Sequence, residues 1–238
     1  MKKLYDKSEI WFAVAAILLY VIPTTNLRAS VGDASPIIAL WLLALAALFA
    51  AFLIRNDLCE KYGLTRWPDS REFLYFIPFI ALGFLNLRNG ARINYPGAGQ
   101  LWAALMMLLV GFVEEVVFRG FLQTAMAKTN VKSAIIVSAL TFGAGHIVNL
   151  LTGHGAAETF AQIIYAAAIG FAFAVVFHFG GSLWPCVITH SLIDVTSVFS
   201  NNEGLSSNSF SIAHVVIIAL CLAYGFYVIH AHRDGQSE

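Results

Sequence analysis

Charge is what this chain has least of. Lysine, arginine, aspartate and glutamate make up 12% of its 238 residues, 14 basic against 14 acidic, while 59% are hydrophobic. Soluble domains carry about 25% charged residues, so that class is excluded. A net charge of zero and the lack of any basic tract leave nothing to attract a polyanion, which removes nucleic acid as a partner. Cysteine is scarce too. Cys59, Cys186 and Cys221 stand far apart without C-x-x-C spacing, and the last two lie in apolar runs where thiols behave as small hydrophobes. Neither a disulfide framework nor a thiolate metal centre is indicated. There is no HExxH, no repeat of fixed period, no low-complexity stretch and no linker long enough to separate two domains. Residues 1–238 read as one transmembrane domain.

What is present is apolar sequence. Eight runs approach the roughly 20 residues that cross a bilayer's hydrocarbon core: 10–25, 36–54, 72–87, 99–124, 133–151, 158–179, 183–200 and 210–230. The first and third are short. The expected fold is therefore an all-α polytopic membrane bundle of about eight transmembrane helices, with the lipid bilayer as its surroundings. Lys2, Lys3 and Lys7 precede the first run as they would in a signal peptide, but no small-x-small site follows, and the run reads as a retained span. The longest connection, 55–71, holds four basic residues and reads as a surface loop. Positive loops stay in the cytoplasm. With the N-terminus inside, ten basic residues (Lys2, Lys3, Lys7, Arg55, Lys61, Arg66, Arg71, Lys128, Lys132, Arg233) lie on the inner side, and three (Arg28, Arg88, Arg92) on the outer. Both termini are expected in the cytoplasm. Ser182 is expected to cap the seventh helix, whose first turn accommodates Pro185.

Against this background the few charges inside the runs stand out, because a charged side chain in hydrocarbon loses about 2.5–3.5 kcal/mol on insertion scales. The fourth run contains Glu114, Glu115 and Arg119. Glu115 and Arg119 are four apart with the acid first, the favourable order for a helical ion pair. Glu114 is rotated by about 100° from that face and has no local partner. A structural ion-pair cluster would account for one carboxylate but not for two. The fifth run contributes His146 and the seventh His190 and Asp194, the last two four apart on one face. At about 1.5 Å per residue from the cytoplasmic helix ends, Glu114, His146 and Asp194 lie about 18–20 Å deep, with His190 one turn shallower. Gly143 and Gly145 beside His146 would let helix backbones approach closely. His178 and His214 lack a helical acidic partner and read as structural; His154, His230 and His232 read as solvated. Asn149 and Gln162 read as interhelical glue.

The three patterns Glu114-Glu115-x-x-x-Arg119, Phe142-x-x-x-His146 and His190-x-x-x-Asp194, in this order on separate spans, resemble the signature of the CPBP family of intramembrane glutamic-type proteases (CAAX-processing endopeptidase and bacteriocin-processing, or Abi). The similarity covers about residues 99–200, the expected protease core, and includes Phe118-Arg119-Gly120 and the run from Gly145 to Asn149. The resemblance implies an eight-span helical fold in a bacterial plasma membrane, a site opening toward the cytosol, and a peptide or membrane-protein substrate. It implies no resident cofactor. Peptide hydrolysis needs an activated water and a stabilised oxyanion. The expected roles are Glu114 as general base, His146 polarising the water, His190 donating to the oxyanion with Asp194 orienting it, and Glu115–Arg119 as the supporting pair. Three rivals use the same groups. They are a zinc protease with Glu115, His146 and His190 as ligands, a proton-coupled transporter, and a non-catalytic scaffold or immunity protein of the same family. Substrate identity and oligomeric state are not legible.

Overall fold

Helices make up almost all of the fold; among the described residues the one extended pairing is an isolated bridge between Ala91 and Ser200. The structure, a computed structural model, describes residues 1–68, 77–201 and 212–234. A short α1 (Lys2–Lys7) ends at Ser8, whose hydroxyl accepts from the Trp11 amide and so starts α2 (Glu9–Val31). Ser35 caps α3 (Pro36–Arg55), with Pro36 at the first turn, where its missing N–H breaks no helical bond. Then come α4 (Ile77–Gly83), α5 (Gly99–Ala127), α6 (Val131–Thr152), α7 (Ala156–Gly180), α8 (Trp184–Val198) and α9 (Ile212–Asp234).

Among the described residues, six helices are long and apolar enough to cross a membrane: Glu9–Val31, Pro36–Arg55, Gly99–Ala127, Val131–Thr152, Ala156–Gly180 and His214–His232. The expectation of about eight spans is met to that extent. The run 183–200 yields α8, which at 15 residues is shorter than a bilayer-crossing helix. Of the run 72–87, the part before Ile77 lies outside the described residues, and the rest is the short apolar helix Ile77–Leu87. Leucines, isoleucines and phenylalanines face outward along the long helices, Leu40, Leu43, Leu101, Leu140 and Phe160 among them, as a surface bathed in lipid requires.

Small residues set the closest crossings. A Cβ on Gly143 of α6 would lie 2.6 Å from the Ile163 carbonyl oxygen of α7, and one on Gly225 of α9 would lie 2.5 Å from the Phe171 ring. Gly145, expected to serve likewise, has only an ordinary contact, with Phe118 at 3.9 Å. At the end of the bundle that holds α1, the rings of Tyr5, Phe12, Phe49, Phe52, Tyr62 and Phe121 interlock, mostly edge to face, with centroids 4.9–5.5 Å apart.

Two expectations are corrected at this same end. The segment 56–68 is not a free surface loop, because Tyr62 is fully buried and the backbone beyond it docks on the start of α8. The Leu183 amide donates to the Gly63 carbonyl at 3.0 Å, and the Trp184 indole N–H to that of Leu64 at 2.9 Å. Ser182 does not cap α8; its hydroxyl donates to the Arg66 carbonyl at 2.6 Å, a long-range bond that a local reading cannot foresee. Lys61 and Lys128 both reach Glu9, at 2.6 and 2.8 Å, tying the 56–68 segment and the end of α5 to the start of α2. Burial alone would depress the Lys61 ammonium, but its hydrogen bonds to Glu9 and Tyr5 outweigh this and raise it.

Candidate active site

The site is assembled on α5, where regular α-helix gives way to another geometry. Gly99–Glu115 is α-helical, Val116–Gln123 is π-helical, and Thr124–Ala127 closes the element. Widened π turns recur at functional sites because they re-aim side chains within an otherwise continuous helix. Both carboxylates sit at this junction. Gly111, one turn earlier, lets α8 approach: a Cβ there would lie 2.4 Å from the Ser191 hydroxyl and 2.6 Å from its amide nitrogen. That crossing brings His190 of α8 to the two glutamates.

Arg119 and Glu115 form the expected pair, with Nη1 to Oε1 at 2.9 Å and both side chains fully enclosed. Taking two ions out of water costs several kcal/mol each, repaid only by good geometry and further contacts. Phe142 supplies one such contact, its ring centre 4.2 Å from the guanidinium carbon, and Phe173 another at 5.5 Å. His190 supplies the next. Its Nδ1 lies 2.8 Å from the same Glu115 oxygen, and since a carboxylate only accepts, Nδ1 carries the hydrogen. Glu115 Oε1 thus accepts from two donors. Asp194 is the carboxylate expected beside this imidazole. It lies on the opposite side of the ring, with Oδ2 3.4 Å from Nε2, while the closer carboxylate contact is that of Glu115 at Nδ1.

Glu114 points elsewhere. The Tyr20 hydroxyl of α2 donates to its Oε1 at 2.5 Å, while Oε2 lies 3.7 Å from His190 Nε2. His146 begins the 3-10 segment His146–Thr152 that closes α6, where the tighter winding starts just after the α-helix ends at Gly145. Its ring stands edge-on to Phe142, centroids 5.6 Å apart, as does His190 at 5.4 Å. Among the described residues none hydrogen-bonds to the His146 ring, so both its nitrogens are available to a ligand.

These groups share one cavity of about 340 Å³, lined by Glu114, His146, His190 and Asp194 together with Tyr20, Tyr165 and Asn149. Four of the six expected site residues therefore converge on a common space, while Glu115 and Arg119 lie behind it. Of the residues named for the zinc alternative, Glu115 already accepts two N–H donors on Oε1, from Arg119 and His190. Among the described residues no three His, Cys, Asp or Glu side chains are placed to hold a metal ion. Asn149 and Gln162 do bridge helices, at 2.7 Å, but also border the cavity, as do His154, expected to be solvated, and His214, expected to be structural. His214 stacks on Tyr165 with ring centroids 5.0 Å apart. The residue missed outright is Tyr20. The one signal available was a phenol in the middle of an apolar span, without any indication of what it would meet 94 positions later.

Residues 96–196 match the family model described as Rce1-like, type II CAAX prenyl endopeptidase. No curated protein and no solved structure matches the chain.

Proposed function

We propose, from the premise that this chain belongs through residues 96–196 to the CPBP family of CAAX-processing intramembrane proteases, that it is a glutamic-type endopeptidase of the bacterial plasma membrane acting on peptides or membrane proteins. The observation that carries this reading is the position of Glu114. One of its oxygens is anchored by Tyr20 and the other faces His190 Nε2 across 3.7 Å, at the inner end of a cavity that His146 and Asp194 also line.

In this mechanism a water between Glu114 and His146 gives its proton to the Glu114 carboxylate as its oxygen attacks the scissile carbonyl carbon. The carbonyl oxygen becomes an oxyanion. With Nδ1–H engaged by Glu115, His190 donates to that oxyanion from Nε2 as an imidazolium, its charge offset by the surrounding carboxylates. Glu114 then passes its proton to the leaving amine as the C–N bond breaks. Asp194 serves on the Nε2 side, within reach of both the imidazole and the substrate. Arg119 neutralises Glu115 and holds it in register. No step calls on a metal.

General acid–base groups contribute about 10²–10⁴-fold to rate. Glu114→Gln and His146→Ala are each expected to lower cleavage by at least two orders of magnitude in purified protein that retains its thermal unfolding midpoint, with full activity in the presence of chelator. Retained turnover in Glu114→Gln would remove the mechanism, and loss of activity on chelation would favour the zinc alternative. Comparing peptides released by cells carrying the native protein or Glu114→Gln identifies the substrate in the same step. If Glu114→Gln rescues a deletion phenotype in full, the native role is scaffolding or immunity rather than proteolysis.

A further inference from the structure

The two ends of the bundle differ in charge, and the cavity belongs to one of them. At one end lie the start of α2, the end of α3, the α5–α6 turn and the α7–α8 connection, joined by Lys61–Glu9, Lys128–Glu9 and the Gly63–Leu183 hydrogen bond. This end carries Lys2, Lys3, Lys7, Arg55, Lys61, Arg66, Lys128 and Lys132 among the described residues. At the other end lie the α2–α3 turn, the segment 85–98 and the end of α8, joined by the Arg92 amide on the Phe199 carbonyl and by Asn94 on those of Val198 and Ser200. It carries Arg28, Arg88 and Arg92, and Arg28 is already paired with Asp33 at 2.8 Å.

The cavity starts at Phe118, Phe142 and His190, which are buried, and climbs α2 through Tyr20, Thr24 and Arg28 and α8 through Asp194 and Ser197. At the outer end Arg88 and Ser197 are exposed. Every described lining residue lies between the site and the end with fewer basic residues. Toward the lysine-rich end the way is closed by Phe121, wedged against Phe12, Phe49 and Tyr62. Lysine- and arginine-rich connections stay in the cytoplasm. A cytoplasmic N-terminus and a site opening to the cytosol, both expected from the sequence, therefore exclude one another in this fold.

We infer that the cavity opens on the non-cytoplasmic side of the membrane, and that what reaches it are exported peptides or the outward-facing flanks of membrane proteins, not cytosolic chain ends. The substrate clause rests on the peptidase reading above; the sidedness does not.

The test is accessibility of single cysteines in protein whose Cys59, Cys186 and Cys221 are replaced by alanine. Ser197→Cys and Asn89→Cys report the cavity end, and Lys3→Cys the lysine-rich end; all three positions are exposed. A membrane-impermeant maleimide applied to intact cells is expected to label the first two and to label Lys3→Cys only after permeabilisation. The reverse pattern, or labelling of all three in intact cells, overturns the inference, as does a failure of both cavity-end positions to label even after permeabilisation. Labelling does not depend on turnover, and Glu114→Gln in the same background is expected to label identically. If the sidedness holds while Glu114→Gln leaves the released peptides unchanged, the peptidase reading fails alone.

Discussion

Among the described residues, Tyr20 contributes the one hydrogen bond made to the Glu114 side chain, and it comes from a helix outside the segment that matches the protease family. Its hydroxyl fixes one carboxylate oxygen and leaves the other turned toward His190, so it acts as a positioning residue for the proposed base. A hydrogen bond to a charged group contributes about 1.5–3 kcal/mol, and each 1.36 kcal/mol of barrier is tenfold in rate. Tyr20→Phe keeps the ring and removes only the donor, so kcat is expected to fall about tenfold or more with KM and the unfolding midpoint nearly unchanged. A rise in KM at constant kcat would assign Tyr20 to substrate binding instead. The contrast with Glu115–Arg119 shows what a sequence discloses at this scale. Spacing of four on one helix is a local relation, and the pair stands as spacing implies. Tyr20–Glu114 and His190–Glu115 are relations between helices, set by crossings that spacing does not encode. For the same reason the orienting partner of His190 read as Asp194, its helical neighbour, when the closer one lies on α5.

Elements, by contrast, are written in the sequence through hydrophobic runs, and the order and approximate limits of the long helices were legible there. Their internal irregularities were not. The π-helical stretch Val116–Gln123 and the 3-10 segment His146–Thr152 follow from packing, since nothing in their residues separates them from α-helix. α8 is the instructive case: its apolar run suggested a full span, but the polypeptide turns at Ser182 to bond with the 56–68 segment and leaves a 15-residue helix. That helix is held against α5 at Gly111, and the contact sets how far His190 stands from both glutamates. Adding one methyl group there overpacks a crossing with no slack, at a cost of about 1–3 kcal/mol. Gly111→Ala is therefore expected to lower the thermal midpoint and to reduce cleavage at least tenfold, whereas Gly145→Ala, with only a 3.9 Å neighbour, leaves both near native. Equal effects of the two, measured by unfolding in detergent and by turnover, would show that the α5–α8 distance does not control the site.

On the scale of the whole molecule, the bundle presents its chemistry at the bottom of a shaft and not on a surface. About 340 Å³ lies between the mouth and Glu114, near the lower limit of ligand pockets, which run from about 300 to 1,000 Å³. A folded domain cannot descend into that space, and neither can a helix of about 10–12 Å diameter with its side chains. Only a stretch of a few residues in extended form reaches the carboxylate, so any substrate must offer its scissile bond in an unstructured segment. The consequence can be measured with one cleavage sequence placed in two contexts. Set in a flexible Gly/Ser-rich linker beside a membrane anchor, it is expected to be cut at least ten times faster than when buried in a stably folded domain on the same anchor. Destabilising that domain should recover the rate in proportion to its unfolded fraction. Equal cleavage of linker and folded domain would mean that the cavity opens far wider than this arrangement of α2, α5, α6 and α8 allows.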